Sequence, residues 1–189
     1  MPDKIRTFKS SWDDALGPAF ALGQGAAAPT VDTFMAPTRL WGFAEGTEDN
    51  VDFTLQFPHD MELDVATITL HPHVHWTAVS SPAANALLYW QLCYTLAKPS
   101  LTLAGATTFP AVTTLTSTVS TLTGGEYRKH LIIELPDINL AAASCAPSMV
   151  MVGNLRIGGD STVGANVPCL LSFDVHYWKG PVGTDTEFV

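Results

Sequence analysis

From Thr67 to Trp76 apolar and polar positions alternate without a break: Ile68, Leu70, Pro72, Val74 and Trp76 hold one parity, and Thr67, Thr69, His71, His73 and His75 the other. Successive side chains of an extended strand point to opposite faces, so the run predicts one long strand with a core side and a polar side bearing three imidazoles. Val51 to Phe57 alternates in the same way and stops at Pro58-His59-Asp60. Ala86 to Leu96, Tyr127 to Leu135, Met149 to Ile157 and Cys169 to Trp178 predict four more strands. Turn signals separate them, among them Ser80-Ser81-Pro82, Gly124-Gly125, Gly158-Gly159-Asp160 and Gly164-Ala165-Asn166. No stretch sustains a helical period with caps. Between Thr113 and Thr123, Leu115, Val119 and Leu122 fit a helix spacing, but the density of Thr and Ser favours strand or loop.

Successive antiparallel strands joined by turns predict an all-β protein, an antiparallel β-sandwich of jelly-roll type. An immunoglobulin-like sandwich ranks second, because its Cys…Trp…Cys pattern is not met convincingly here. The first 45 residues read differently: Leu22-Gly23-Gln24-Gly25-Ala26-Ala27-Ala28-Pro29 is small residues and a breaker with no period. Residues 1–45 are therefore expected to be an extended N-terminal arm, with Trp12, Phe20, Phe34 and Trp41 as partner-binding anchors, and residues 46–189 the sandwich domain.

Composition changes the picture in two places. Charged residues make up only 14% of the 189 against 47% apolar, well below the roughly 25% of an ordinary soluble protein, so much of the surface is expected to be buried against partners in an oligomer or larger assembly. The formal net charge of −9, with nine Lys and Arg spread thinly, argues against nucleic-acid binding. No apolar run is long enough to span a membrane, and no signal-peptide pattern follows Met1-Pro2-Asp3-Lys4. Cys93, Cys145 and Cys169 are odd in number and lack Cys-x-x-Cys spacing, so neither a disulfide framework nor a thiolate zinc site is indicated; Cys93 and Cys169, inside apolar runs, are expected as buried thiols.

The histidines are the candidate chemistry. Imidazoles two residues apart on a strand lie roughly 6.5 to 7 Å from each other, close enough for neighbours to share one metal ion or to meet symmetry mates. His71, His73 and His75, with His176 as a distant ligand, form the candidate metal set; a polar strand face of hydrogen-bonded imidazoles and acid–base catalysis are the alternatives. His176 alternates with Asp174 and Trp178, a spacing at which a carboxylate can orient an imidazole. His59 is assigned to a turn and His130, beside Arg128 and Lys129, to a solvated strand face. No nucleophile motif accompanies the cluster, so no catalytic residue, no enzyme activity and no cofactor beyond a transition metal is expected.

Three segments carry a resemblance: Gly46-Thr47-Glu48-Asp49-Asn50-Val51-Asp52-Phe53; Gln56-Phe57-Pro58-His59-Asp60 followed by His71-Pro72-His73-Val74-His75-Trp76; and Phe173-Asp174-Val175-His176-Tyr177 with Gly183-Thr184-Asp185-Thr186-Glu187. Together they resemble a family of tailed-bacteriophage structural proteins with a His-Pro-His-x-His-Trp strand, over roughly residues 40 to 189, weakly between Lys98 and Gly125. The resemblance implies a virion component assembled in the host cytoplasm: a homotrimeric capsid decoration or cement protein, bound to the major capsid or another virion protein through its arm. A tail or head-fibre station and a cupin-like metalloenzyme are the alternatives; the latter is weakened because no carboxylate follows the histidine strand until Glu126.

Overall fold

The computed structural model describes residues 11–18, 23–27, 29–45, 49–61, 63, 65–100, 108–164 and 168–179. Fourteen strands occur among them: β1 Ser11–Pro18, β2 Gly23–Gln24, β3 Thr30–Met35, β4 Thr38–Gly42, β5 Asn50–Gln56, β6 Thr67–Ala78, β7 Leu87–Leu88, β8 Trp90–Ala97, β9 Thr113–Thr116, β10 Ser120–Thr121, β11 Leu131–Glu134, β12 Ile138–Ala141, β13 Val150–Ile157 and β14 Pro168–Lys179. One large sheet runs β11-β6-β14-β4-β3, with β12 also on β6 and β1 also on β14; the second runs β2-β5-β13-β8-β9, and β10 and β7 form a small two-stranded sheet. The named strand pairs are all antiparallel.

The pairing is nested: β4 lies on β14, β5 on β13, β6 on β11 and β12, and β8 on β9. First pairs with last, second with next to last, and successive partners alternate between the sheets. That is a long antiparallel hairpin rolled up on itself, the jelly roll the strand pattern predicts. The two sheets meet through aromatic side chains, with Phe53 on β5 and Phe173 on β14 4.9 Å apart and Phe57 and Tyr177 6.2 Å apart. Ile68, Leu70, Val74 and Trp76 of β6 face this core, as do Val51 and Leu55 of β5 and Met151, Leu155 and Ile157 of β13. Opposite Phe53 stands Gly153, where a Cβ would come within 2.2 Å of the Cys93 carbonyl oxygen, so only glycine lets β13 and β8 approach beneath that ring.

One irregularity sets the chemistry. The register of β14 on β6 shifts between Leu170 and Ser172, which face Trp76 and His75, leaving Leu171 as an extra residue. Leu170 is fully buried on the core side, and unbroken alternation would send Ser172, Asp174 and His176 inward with it. The bulge reverses the phase, so that Phe173, Val175 and Tyr177 enter the core and Asp174 and His176 stand on the outer face beside the histidines.

The segment read as an arm is extended in its described parts, and those parts belong to the sandwich. β1 pairs with β14 over its whole length, β3 and β4 form a hairpin on the same sheet, and Leu40 and Phe43 are buried. The reason is that strand pairing is satisfied by backbone groups, so a segment without side-chain periodicity still joins a sheet edge. Cys93 and Cys169 are buried thiols outside any disulfide, as expected, and Cys145 is buried as well. The residues 113–123 resolve into the short strands β9 and β10, in agreement with the strand reading.

Candidate metal centre

On the outer face of the larger sheet, register aligns side chains in rows across strands. Asp14 of β1, His176 of β14 and His71 of β6 form one row; Leu16, Asp174, His73 and Glu134 form the next; Ser172, His75 and Ile132 a third. The four candidate histidines therefore share one surface, but they do not converge on one point.

His73 and His176 do converge. Their rings stand edge to face with centroids 4.1 Å apart, and His73 Nδ1 lies 3.3 Å from His176 Nε2. The Asp174 carboxylate lies beneath both, with Oδ1 3.8 Å from His73 Nδ1 and Oδ2 3.6 Å from His176 Nε2. Asp174 is only 4% exposed although it faces away from the core, because the imidazoles roof it over. Its Oδ1 has no hydrogen-bond partner among the described residues. Asp14 Oδ1, from β1, lies 2.9 Å from the same His176 nitrogen.

His75 and His71 take other partners. His75 Nε2 is 3.1 Å from Asp174 Oδ2, and since a carboxylate only accepts, this nitrogen donates. A neutral His75 then accepts at Nδ1 from His130 Nε2–H across 2.7 Å, so the two imidazoles form a relay that holds the carboxylate. His71 Nδ1 pairs with Asp137 at 2.6 Å, and its ring is flanked by Trp12 at 4.7 Å. Burial, then the neighbouring His176, holds the His73 imidazole below its ordinary value, against the pull of Asp174 and Glu134.

Trp12, His71, His73, Glu134, Asp137 and His176 line a depression of about 300 Å³ that opens to solvent. Donors of a kind that bind a first-row transition ion therefore sit at the floor of an accessible hollow. Of the groups that matter here, the sequence singled out the histidines, and it noticed Asp174 only as an orienting neighbour. Asp14 and Asp137 were missed, and no spacing signal could have found them, since they arrive from β1 and from the loop after β11. His130 is exposed, as expected, just before β11, and it is also bonded to His75, which was not expected. His59 occupies its turn with Nε2 2.5 Å from Ser148 Oγ.

Of the expected partner anchors, Trp12 is half exposed and packs edge on against Trp178 at 4.9 Å. Phe34 is partly buried on β3, and Trp41 packs against the core from β4. Phe20 lies outside the described residues, as do Gly46-Thr47-Glu48 and the last ten positions.

No protein-family model matches the chain. No curated protein matches it in sequence. Among solved structures it is similar to a xylan-binding module, CBM15, at 10% identity and a TM-score of 0.36, over 91% of this chain and 99% of that one. It is also similar to Xylanase10C from Cellvibrio japonicus in complex with xylopentaose, at 11% identity and a TM-score of 0.33, over 92% of this chain and 28% of that one. A third is CBM27-1 of Caldicellulosiruptor saccharolyticus in complex with mannohexaose, at 7% identity and a TM-score of 0.30, over 91% and 99%. Similarity this loose assigns no ligand to this chain, and the class stated here, an antiparallel jelly-roll sandwich, is read from its own strand pairing.

Proposed function

We propose that this chain is a structural component of a tailed-bacteriophage particle, assembled as a homotrimer that decorates or cements the capsid. The observation that carries the reading is where the resembling segments lie. The His71-to-Trp76 strand and the Phe173-to-Tyr177 strand, 97 or more residues apart in sequence, are direct neighbours, with His73 opposite Asp174 and His71 opposite His176. The Pro58-His59-Asp60 turn reaches the same strand: Tyr177 Oη donates to Asp60 Oδ1 at 3.2 Å, and Lys179 Nζ lies 2.7 Å from Asp60 Oδ2. Motif residues that assemble into one structural unit are what a family signature requires.

The surface supports assembly. Trp12, Leu16, Val31, Met35, Ile132 and Trp178 are large apolar side chains left more than a third exposed on the sheet that carries the histidines, and a charge fraction of 14% leaves few groups to keep such a face apart from a partner. The position of the site favours this reading over a cupin-like enzyme, because its donors lie on the outer face of the sheet in an open hollow.

Mass spectrometry of purified particles, with heads and tails separated, tests the proposal. The protein should be found in the head fraction at a fixed ratio to the major capsid protein. Recovery in the tail fraction would move it to the fibre station, and presence in the lysate but not in particles would end the virion reading.

A further inference from the structure

We propose that His73 Nδ1, His176 Nε2 and the Asp174 carboxylate bind one divalent transition-metal ion of the Zn²⁺ type, with Asp14 within reach of a fourth bond. This is a narrower set than the four histidines the sequence suggests, and it does not depend on the virion reading. Ligands 2.0 to 2.1 Å from a tetrahedral ion lie about 3.3 Å from one another. His73 Nδ1 and His176 Nε2 are already 3.3 Å apart, and the carboxylate oxygens stand 3.8 and 3.6 Å from them. Small side-chain rotations close that difference.

Two further observations point to an ion. A buried carboxylate oxygen without a partner is uncommon in a folded protein, and Asp174 Oδ1 is one, aimed at His73 within a residue 96% shielded from solvent. Hydrogen bonding also leaves the cluster incompletely paired. His176 Nε2 has at most one proton to share between Asp14 Oδ1 at 2.9 Å and His73 Nδ1 at 3.3 Å, and Asp174 Oδ2 at 3.6 Å lies beyond hydrogen-bond reach of it. A cation accepts electron pairs from all of them at once. Paired imidazoles with carboxylate select a zinc- or iron-like ion over calcium or magnesium, which take oxygen ligands alone.

The surroundings are arranged to hold such a site. His130 and His75 form the relay that fixes Asp174 through its Oδ2, the role that outer hydrogen bonds play for ligating carboxylates. Because the donors come from β1, β6 and β14, the ion would fasten the N-terminal strand to the centre of the sheet.

The test uses untagged protein, stripped with a chelator and titrated with Zn²⁺ by calorimetry, with Ca²⁺ as the counter-probe and melting temperature as a second readout. Stripped wild type should take up one Zn²⁺ per chain and melt higher with it. Asp174→Asn and His176→Gln should each weaken binding about 100-fold or more, and Asp14→Asn about 10-fold. His59→Gln, whose ring is engaged with Ser148, should bind within about twofold of wild type. If Asp174→Asn does not fold, His176→Gln carries the comparison, since His176 is a third exposed. Absence of saturable Zn²⁺ binding by wild type, unchanged affinity in His176→Gln, or equally tight Ca²⁺ binding would each overturn the assignment.

Discussion

His73 on β6 and Asp174 on β14 occupy opposed positions in the sheet, and a carboxylate facing outward is nonetheless buried, 3.8 Å from the imidazole that covers it. Burial of a charge outside the core is stable only if its oxygens are engaged. Here His75 engages one oxygen and leaves the other for a ligand.

The relay to that first oxygen makes an energetic prediction. His75→Ala removes the donor to a buried carboxylate and should destabilise chelator-treated protein by about 1 to 3 kcal/mol, whereas His130→Ala, which removes an exposed partner, should cost under about 1 kcal/mol. Urea unfolding of the two single variants and the double variant measures both costs and their coupling. Equal costs for the two single changes would show that the buried carboxylate does not depend on His75.

The bulge at Leu171 makes a topological prediction. Deleting Leu171 would remove the bulge and set Ser172 directly after Leu170 in unbroken alternation, so Phe173, Val175 and Tyr177 stay in the core and the deletion variant should keep its fixed tertiary structure, whereas an alanine inserted between Ser172 and Phe173 would turn Phe173, Val175 and Tyr177 outward and should abolish it. Leu171→Ala keeps the residue count and should fold, because Leu171 is itself only partly buried. Near-ultraviolet circular dichroism distinguishes the variants; a native spectrum from the insertion, or a lost one from the deletion, would mean that the phase of β14 is not set by alternation on either side of this bulge.

Glu126 should contribute a pH-dependent increment of stability. Burial raises its carboxyl, but hydrogen bonds donated by the Thr123 amide at 2.7 Å and the Thr123 hydroxyl at 2.8 Å outweigh it and hold the group below its ordinary value of 4.5. A carboxyl depressed in the folded state stabilises fully above the unfolded value and loses that contribution as pH falls through the folded one. The stability gap between wild type and Glu126→Gln should therefore be widest near neutrality and narrow below pH 4.5. A gap constant from pH 7 down to about 3 would contradict the sign worked out here.

Cys169 should be chemically silent until the protein unfolds. Its thiol is wholly buried, and burial, reinforced by the Asp32 carboxylate, raises it to about 12, whereas the thiolate is the species that reacts. Iodoacetamide at pH 8 should leave Cys169 unlabelled in native protein and label it in urea, as read by peptide mapping. Labelling at the same rate in both states would mean that the strand opens readily.

The sequence by itself determined the all-β architecture and the facing of its long strands. Period-two alternation from Thr67 to Trp76 is a local property, and burying Ile68, Leu70, Val74 and Trp76 fixes which side the histidines take. It also marked His73 and His176 as candidate ligands. Only the tertiary structure decided which groups meet. Strand order and register are long-range, so neither the pairing of His73 with Asp174 nor the arrival of Asp14 on β1 has a spacing to read. The same holds for the segment expected as an arm, whose described strands are recruited into the sheet by backbone hydrogen bonds that any sequence can offer. Side-chain pattern specifies faces; which faces become neighbours is settled by the energy of the whole packed sandwich.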